Sequence, residues 1–247
     1  MFQDLTVIVA CRNEEASIEQ CISRILRSCP NAALVVVDGG SDRTEELVAE
    51  LTREHKTVRY IRNVDDRGKG HAIRVGTRAA TTQFIAQLDA DLQFLPEELP
   101  VLFERLREDR IDMILGSRFL LSSRRMEGST PAIRRIGNYA INAYASILFG
   151  TRFTDLLAGV KVWRAKVTNA FELESDSYSY EAELALKAFA LGFRVQEWPV
   201  TTEPRRTGKS SVHIFSVGRK LLRDIFCFRV WASRHRHFRP RVHSELP

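Results

Sequence analysis

The chain has 247 residues, 44% hydrophobic and 28% charged, a globular composition that excludes collagen-like, wholly disordered and disulfide-scaffold classes. No uninterrupted apolar run approaches the roughly 18–20 residues that span a bilayer, no basic-then-apolar leader is present, and the four cysteines form no CxxC pair, so a soluble cytosolic protein is expected. The net charge of +6 is uneven: from Thr202 onward eleven Lys/Arg face three Asp/Glu, a basic tail on a slightly acidic body, suited to phosphates, nucleic acid or an anionic membrane.

Residues 5–10 (LTVIVA) read as a buried strand, followed by a helical pattern with Ile18, Ile22, Ile25 and Leu26 on one face. Residues 33–37 predict a second strand, after which Asp42 and Glu45 are spaced as a capping box ahead of Leu47, Val48 and Leu51. A third strand over 58–61, a helix over 72–80 and a fourth strand over 84–88 come next. A helix over 96–108 then leads to a fifth strand at 113–115. This alternation predicts an α/β fold, an open and mostly parallel sheet with helices on both faces. The second half reads as a polar loop over 122–130, a helix over 131–149, a strand over 159–163 and a helix over 180–191. It continues with a strand over 193–200, a basic loop over 204–211 and a last helix over 214–231. Without repeats or an obvious linker, one domain over 1–211 with a basic amphipathic extension over 212–247 is expected.

In open parallel sheets ligands sit beyond the carboxyl ends of the strands. Here those ends are polar: Arg12, Asn13 and Glu14 follow the first strand, and Asp38 to Asp42 the second. Asp89-Ala90-Asp91-Leu92-Gln93 follows the fourth, and Gly116-Ser117-Arg118 the fifth. Converging carboxylates need a cation or a donor network, and a hard divalent cation shared with substrate phosphates meets that need. Asp89 and Asp91 can both turn toward one metal if the backbone bends; the alternative is a solvated turn. Asp42 reads as a helix cap whether or not Asp38 binds ligand. Gly68-Lys69-Gly70, opening a helix, can approach a phosphate or sugar with its backbone. Walker spacing, GxGxxG and a GxSxG elbow are absent from the sequence. Four of the six histidines lie in the basic tail and read as solvated.

Ten segments, in order over roughly residues 5–211, together resemble family 2 glycosyltransferases of the GT-A fold, in the branch of dolichol-phosphate mannose synthase and bacterial polyprenyl-phosphate glycosyltransferases. They are VIVACRNEE, VVVDGGSDRT, RGKGHAIRVG, QLDADLQ, GSR, IRRIGN, TDLLAGVKVWR, YEAEL, EWP and RRTGKSS. The resemblance implies a nucleotide-sugar donor and a Mg²⁺ or Mn²⁺ ion on Asp89, Asp91 and Gln93. It places Ala10, Arg12, Glu14, Asp38, Lys69 and Ala90 on the donor side. Arg118, Arg135 and Arg206, with Lys209 and Ser210, match positions that grip the acceptor phosphate or the diphosphate. Two departures leave the base open: Ala10-Cys11-Arg12 stands where the family usually has Pro-Thr-Tyr, and Asp38-Gly39 where it often has Asp-Asp.

The expected reaction is metal-dependent, inverting transfer of a hexose to a polyprenyl phosphate, in which metal and arginines stabilise the leaving diphosphate. A phosphate acceptor is already anionic, so orientation suffices; a soluble hydroxyl or amine acceptor, the alternative, requires a base. Asp155 and Glu183 are the candidates for one, with structural alternatives as a turn residue and an arginine partner. In the last helix Ile214, Phe215, Val217, Leu221, Leu222, Ile225, Phe226 and residues 228–231 form an apolar stripe flanked by Arg219, Lys220, Arg223 and Arg229. That suits peripheral docking on the cytoplasmic membrane face, or else a core-packed helix. A nucleic-acid-binding role through the tail is the distant rival, and no specific nucleic-acid partner is expected, because the aromatics lie in a helix rather than on a sheet face.

Overall fold

The structure is a computed structural model that describes residues 1–108, 110–205 and 214–235. In chain order it runs β1 (Leu5–Cys11), α1 (Ile18–Ser28), β2 (Ala33–Asp38), α2 (Thr44–Glu54), β3 (Val58–Arg62) and α3 (Lys69–Ala79). Then come β4 (Phe84–Asp89), α4 (Leu99–Glu108), β5 (Met113–Ser117), β6 (Arg124–Arg125), α5 (Ala132–Phe149) and β7 (Lys161–Arg164). The last elements are α6 (Ala165–Asn169), α7 (Tyr180–Ala190), β8 (Val195–Pro199), β9 (Thr201–Thr202) and α8 (Ile214–Ser233).

Seven strands form one sheet in the order β3-β2-β1-β4-β7-β5-β8, and β6 pairs with β9 beside it. The sheet is mostly parallel, as the strand–helix alternation predicts. The exception is β7, which runs antiparallel between β4 and β5. It is a late segment, Lys161–Arg164, wedged between strands that a simple crossover would make neighbours.

Both faces are covered, which is why the strands read as continuous apolar runs. Along β1, Leu5, Val7 and Val9 enter one core with the buried faces of α1 and α4. Ile8 enters the other, with α3, α5, α7 and α8. The buried residues of α1 are Ile18, Cys21, Ile22 and Ile25, the face its periodicity predicts. Ahead of α2, Asp42 Oδ1 accepts the Thr44 N–H at 3.1 Å, but the N-cap is Arg43 without a side-chain cap bond, so Asp42 does not stand at the capping-box position expected of it with Glu45.

The last helix divides its apolar residues between two faces. Leu221, Ile225, Phe228 and Ala232 are buried in the second core, whereas Leu222, Phe226 and Val230 are exposed. Asp224 accepts the Ser179 hydroxyl at 2.6 Å and so fastens α8 to the start of α7. No helix among the described residues is long and apolar enough to cross a membrane.

Helix α7 is itself anchored by a buried ion pair. The Glu183 carboxylate takes the Lys187 ammonium at 2.6 Å and the backbone N–H groups of Glu174 and Ser175 at 2.9 and 2.8 Å. Glu183→Ala is expected to lower the unfolding free energy by about 3 kcal/mol, because it removes the buried partner of Lys187 and leaves the Glu174 and Ser175 N–H groups without their acceptor. Urea unfolding checks this, and an unchanged midpoint would refute the anchoring role.

Candidate active site

The carboxyl ends of β1, β2 and β4 lie side by side, with Ala10 in register with Asp89 and with Val37. Side chains stitch the loops beyond them. Asn13, in the left-handed region at φ 58°, accepts the Ser41 N–H at 2.8 Å, and Asp42 accepts the Glu15 N–H at 2.9 Å. Asp38 is fully buried and saturated: it accepts from Gly40 N at 2.7 Å, the Tyr60 hydroxyl at 3.1 Å and Arg62 at 3.2 Å.

At the end of β4 the chain bends through Asp89-Ala90-Asp91, with Leu92 at φ 58° completing the turn. Lys69, the first residue of α3, places its ammonium 2.7 Å from Asp89 and 2.7 Å from Glu181. Glu181 also pairs with the fully buried Lys161 at 3.2 Å, and Lys161 donates to the Ala158 carbonyl. The result is a row of alternating charge, Asp89–Lys69–Glu181–Lys161, running inward from the sheet edge. Burial pushes the Asp89 carboxyl up to about 6, against the opposing pull of Lys69, and neighbouring Asp91 adds to the rise. Burial works against the Lys69 charge too, but Asp89 and Glu181 outweigh it and its pKa stands well above the ordinary lysine range. Gly159 leaves room for this arrangement: a Cβ there would fall 2.2 Å from Asp89 Oδ2.

Asp91 is also buried, and that burial raises its pKa. Its Oδ1 accepts the Gln93 N–H at 3.1 Å, and Arg205 Nε stands 3.7 Å from Oδ2. The same guanidinium pairs with Glu14, whose other oxygen accepts the Ser17 hydroxyl at 2.9 Å. The Gln93 amide donates to the Ser129 carbonyl at 3.0 Å. Arg205 thus joins the loop after β1 to the loop after β4.

Arg118, following β5, makes a two-pronged contact with Asp155: Nε to Oδ2 at 2.7 Å and Nη2 to Oδ1 at 2.8 Å. Asp155 Oδ2 also accepts the Arg118 backbone N–H at 3.0 Å, and Nη2 donates to the Leu157 carbonyl at 3.2 Å. Glu197 of β8 accepts the backbone N–H groups of Thr154 and Asp155 and so fixes that turn. The guanidinium stands over the Phe94 and Phe119 rings, 5.5 and 5.4 Å from their centroids.

Not all residues singled out from the sequence meet here. Asp89, Asp91, Lys69, Glu14 and Gln93 share one network. Ala10 and the buried Ala90 lie beside it. Arg12 is exposed and pairs with Asp66 at 3.4 Å. Arg135 is exposed on the first turns of α5, and Glu183 is occupied by Lys187 rather than by an arginine. Arg206, Lys209 and Ser210 lie outside the described residues. Sequence reading missed Glu181, Lys161 and Arg205 as members of the network. A lysine inside the apolar segment 160–163 was the available signal for Lys161.

Comparison with known proteins follows the same outline. Residues 6–149 match the family model described as glycosyl transferase family 2. The low-salt glycan biosynthesis hexosyltransferase Agl6 of Haloferax volcanii is 27% identical over 87% of this chain, which spans about half (51%) of that relative. The polyprenol monophosphomannose synthase of Mycolicibacterium smegmatis is 28% identical over 97% of this chain and 91% of its own. Among solved structures, the mannosyltransferase PcManGT of Pyrobaculum calidifontis, in complex with GDP-Man and Mn²⁺, superposes with a TM-score of 0.68 at 20% identity. That likeness covers 96% of this chain and 66% of the other. The chain therefore belongs to glycosyl transferase family 2, as a glycosyltransferase of the GT-A fold.

Proposed function

We propose that this protein transfers a hexose, with inversion, from a nucleotide sugar to a polyprenyl phosphate at a cytoplasmic membrane face, using Mg²⁺ or Mn²⁺. The observation that carries the reading is the pair of carboxylates after β4, the half-buried Asp89 and the buried Asp91, each facing a cationic side chain. These are hard oxygen donors in a space kept open by Gly159, and a divalent cation of this kind takes one or two carboxylates plus substrate phosphates. The residues fit such an ion, with Asp89, Asp91 and the Gln93 side-chain oxygen to hold it. When bound, the ion neutralises charge developing on the leaving diphosphate.

This chain's own residues supply the rest. Lys69 keeps the Asp89 side of the site electrically balanced, and Ala10 and Ala90 line the donor without bulk. Arg12, Glu14 and Asp38 stand on the nucleotide side, where Asp38 shapes the backbone through Gly40. Arg118 grips the acceptor phosphate, its plane set by Asp155, so that Asp155 works as a positioning residue. An anionic acceptor needs no strong base, which agrees with Asp155 and Glu183 both being engaged in ion pairs. Arg135, Arg206, Lys209 and Ser210 complete the phosphate-gripping set. The body over 1–211 is the transferase, and the segment from 212 carries the outward stripe of α8 to the membrane. That stripe is Leu222, Phe226 and Val230, 40, 53 and 36% exposed, with Arg219 and Arg223 exposed alongside. The polyprenol-phosphate name of the mycobacterial relative supports the lipid acceptor.

Three outcomes test this. Asp91→Asn should cut turnover by about 10²-fold or more and abolish the Mn²⁺-dependent thermal shift with a nucleoside diphosphate, with circular dichroism unchanged. Full activity in excess chelator would sink the metal reading. Arg118→Lys and Asp155→Asn should each raise KM for the lipid phosphate about tenfold or more, and the double variant should be no worse than the singles. If Asp155→Asn lowers kcat equally in either background, it is a base instead. Leu222→Ser/Phe226→Ser should weaken co-sedimentation with anionic liposomes several-fold at low salt, at unchanged stability because both positions are exposed; equal binding would clear α8 of the anchoring role.

A further inference from the structure

Between α5 and β7 the chain runs through residues 150–160 without regular secondary structure, yet Asp155, Leu156 and Ala158 are fully buried. Buried backbone outside helices and sheets must find its hydrogen-bond partners elsewhere. Two side chains supply them at the Thr154–Leu156 turn. Glu197 of β8 takes the Thr154 N–H at 2.8 Å and the Asp155 N–H at 2.6 Å, both on Oε1. Asn142 of α5 takes the Leu156 N–H on Oδ1 at 3.0 Å and donates from Nδ2 to the Thr154 carbonyl at 2.6 Å. Asn142 is 3% exposed and lies on the buried face of α5 with Ile141, Ala145 and Phe149. A primary amide on such a face is costly unless it is bonded, and both ends of this one are spent on the turn.

The turn fixes the Arg118 guanidinium. Asp155 takes Nε and Nη2, and the Leu157 carbonyl takes Nη2 again, so three of the five side-chain N–H donors of this arginine end on residues 155–157. Nη1 makes no hydrogen bond among the described residues, and the side chain keeps 14% of its surface exposed.

We infer that Asn142 and Glu197 are positioning residues for the acceptor phosphate: they lock the 154–156 turn so that Asp155 and Leu157 hold Arg118 with its Nη1 donors free for that phosphate. The inference rests on the lipid-phosphate reading above, and neither residue touches substrate. A guanidinium grips a phosphate through the plane of its fork, and a rigid support sets that plane before the ligand arrives. With the turn released, Arg118 keeps its charge and loses its fixed plane. The penalty therefore falls on phosphate recognition, and the carboxylate corner at Asp89 and Asp91 is spared.

Calorimetric titration of the full chain with farnesyl phosphate and with farnesol, both in detergent, tests this, with GDP and UDP in Mn²⁺ as a separate arm. Glu197→Ala and Asn142→Ala should each weaken farnesyl phosphate about tenfold or more. Farnesol, and whichever of GDP and UDP the parent binds, should change by no more than about twofold. Glu197→Gln keeps an oxygen that can take both N–H groups and should bring farnesyl phosphate back to within about threefold of the parent. In an Arg118→Ala background, Glu197→Ala should cost no more than about twofold further, because its effect runs through that guanidinium. Should the alanine variants fail to fold, Asn142→Asp keeps the acceptor for Leu156, loses the donor to Thr154 and should weaken farnesyl phosphate about threefold or more. Parent-like affinity in the folded variants, or a loss shared equally by farnesol and the nucleotides, overturns the inference and leaves the lipid-phosphate reading standing. So does full additivity with Arg118→Ala, or a glutamine variant as weak as the alanine one. A parent protein that binds farnesyl phosphate no tighter than farnesol overturns both.

Discussion

The charge row Asp89–Lys69–Glu181–Lys161, half-buried at its outer end and buried at its inner one, is the constraint around which the rest of this site is arranged. Four ionised groups carried from water into a sheet edge are costly to bury, and only their alternation in sign and close spacing offset that cost. Removing Lys69 leaves Asp89, and removing Glu181 leaves Lys161, without its ion-pair partner, so the inner members hold the row together. Its outer member is a carboxylate already facing a cation, and its inner member is locked to the Ala158 carbonyl. Asp89 is therefore held from within.

That row exists because of an uncommon strand. β7 enters antiparallel between β4 and β5, and it brings Lys161 under the sheet edge and Gly159 against Asp89. The same segment, a few residues earlier, supplies Asp155 to Arg118. One stretch of chain thus sets both ends of the site: the carboxylate corner at Asp89 and the fixed guanidinium of Arg118. Glu197 on β8 ties that stretch to the far edge of the sheet. Rigid elements thus hold the charged groups of the site in place.

Helix α8 illustrates how one amphipathic pattern can serve two surfaces. Its inner stripe completes the second core and its Asp224 hooks α7, close to Glu181 in sequence. The outer stripe with its arginines remains on the surface. The core-helix expectation describes the inner face, and Leu222, Phe226 and Val230 leave the outer face exposed.

The sequence by itself determined the α/β class, the strand order of chemistry along the chain and the polar strand ends, because strands covered on both faces must read as apolar runs that stop abruptly at polar turns. It also exposed Asp89, Asp91 and Gln93 as a compact group, since local spacing after a strand is a local property. What lies far apart in sequence was decided only by tertiary structure. Glu181 reaches Lys69 across 112 residues, Arg205 reaches Glu14 across 191, and Asp66 fills the space beside Gly39. Glu183 and Glu181 sit two residues apart on one helix and look interchangeable on paper. Only the folded chain shows that Glu183 meets Lys187 while Glu181 meets Lys69, because a helix turns residues two apart toward different neighbours.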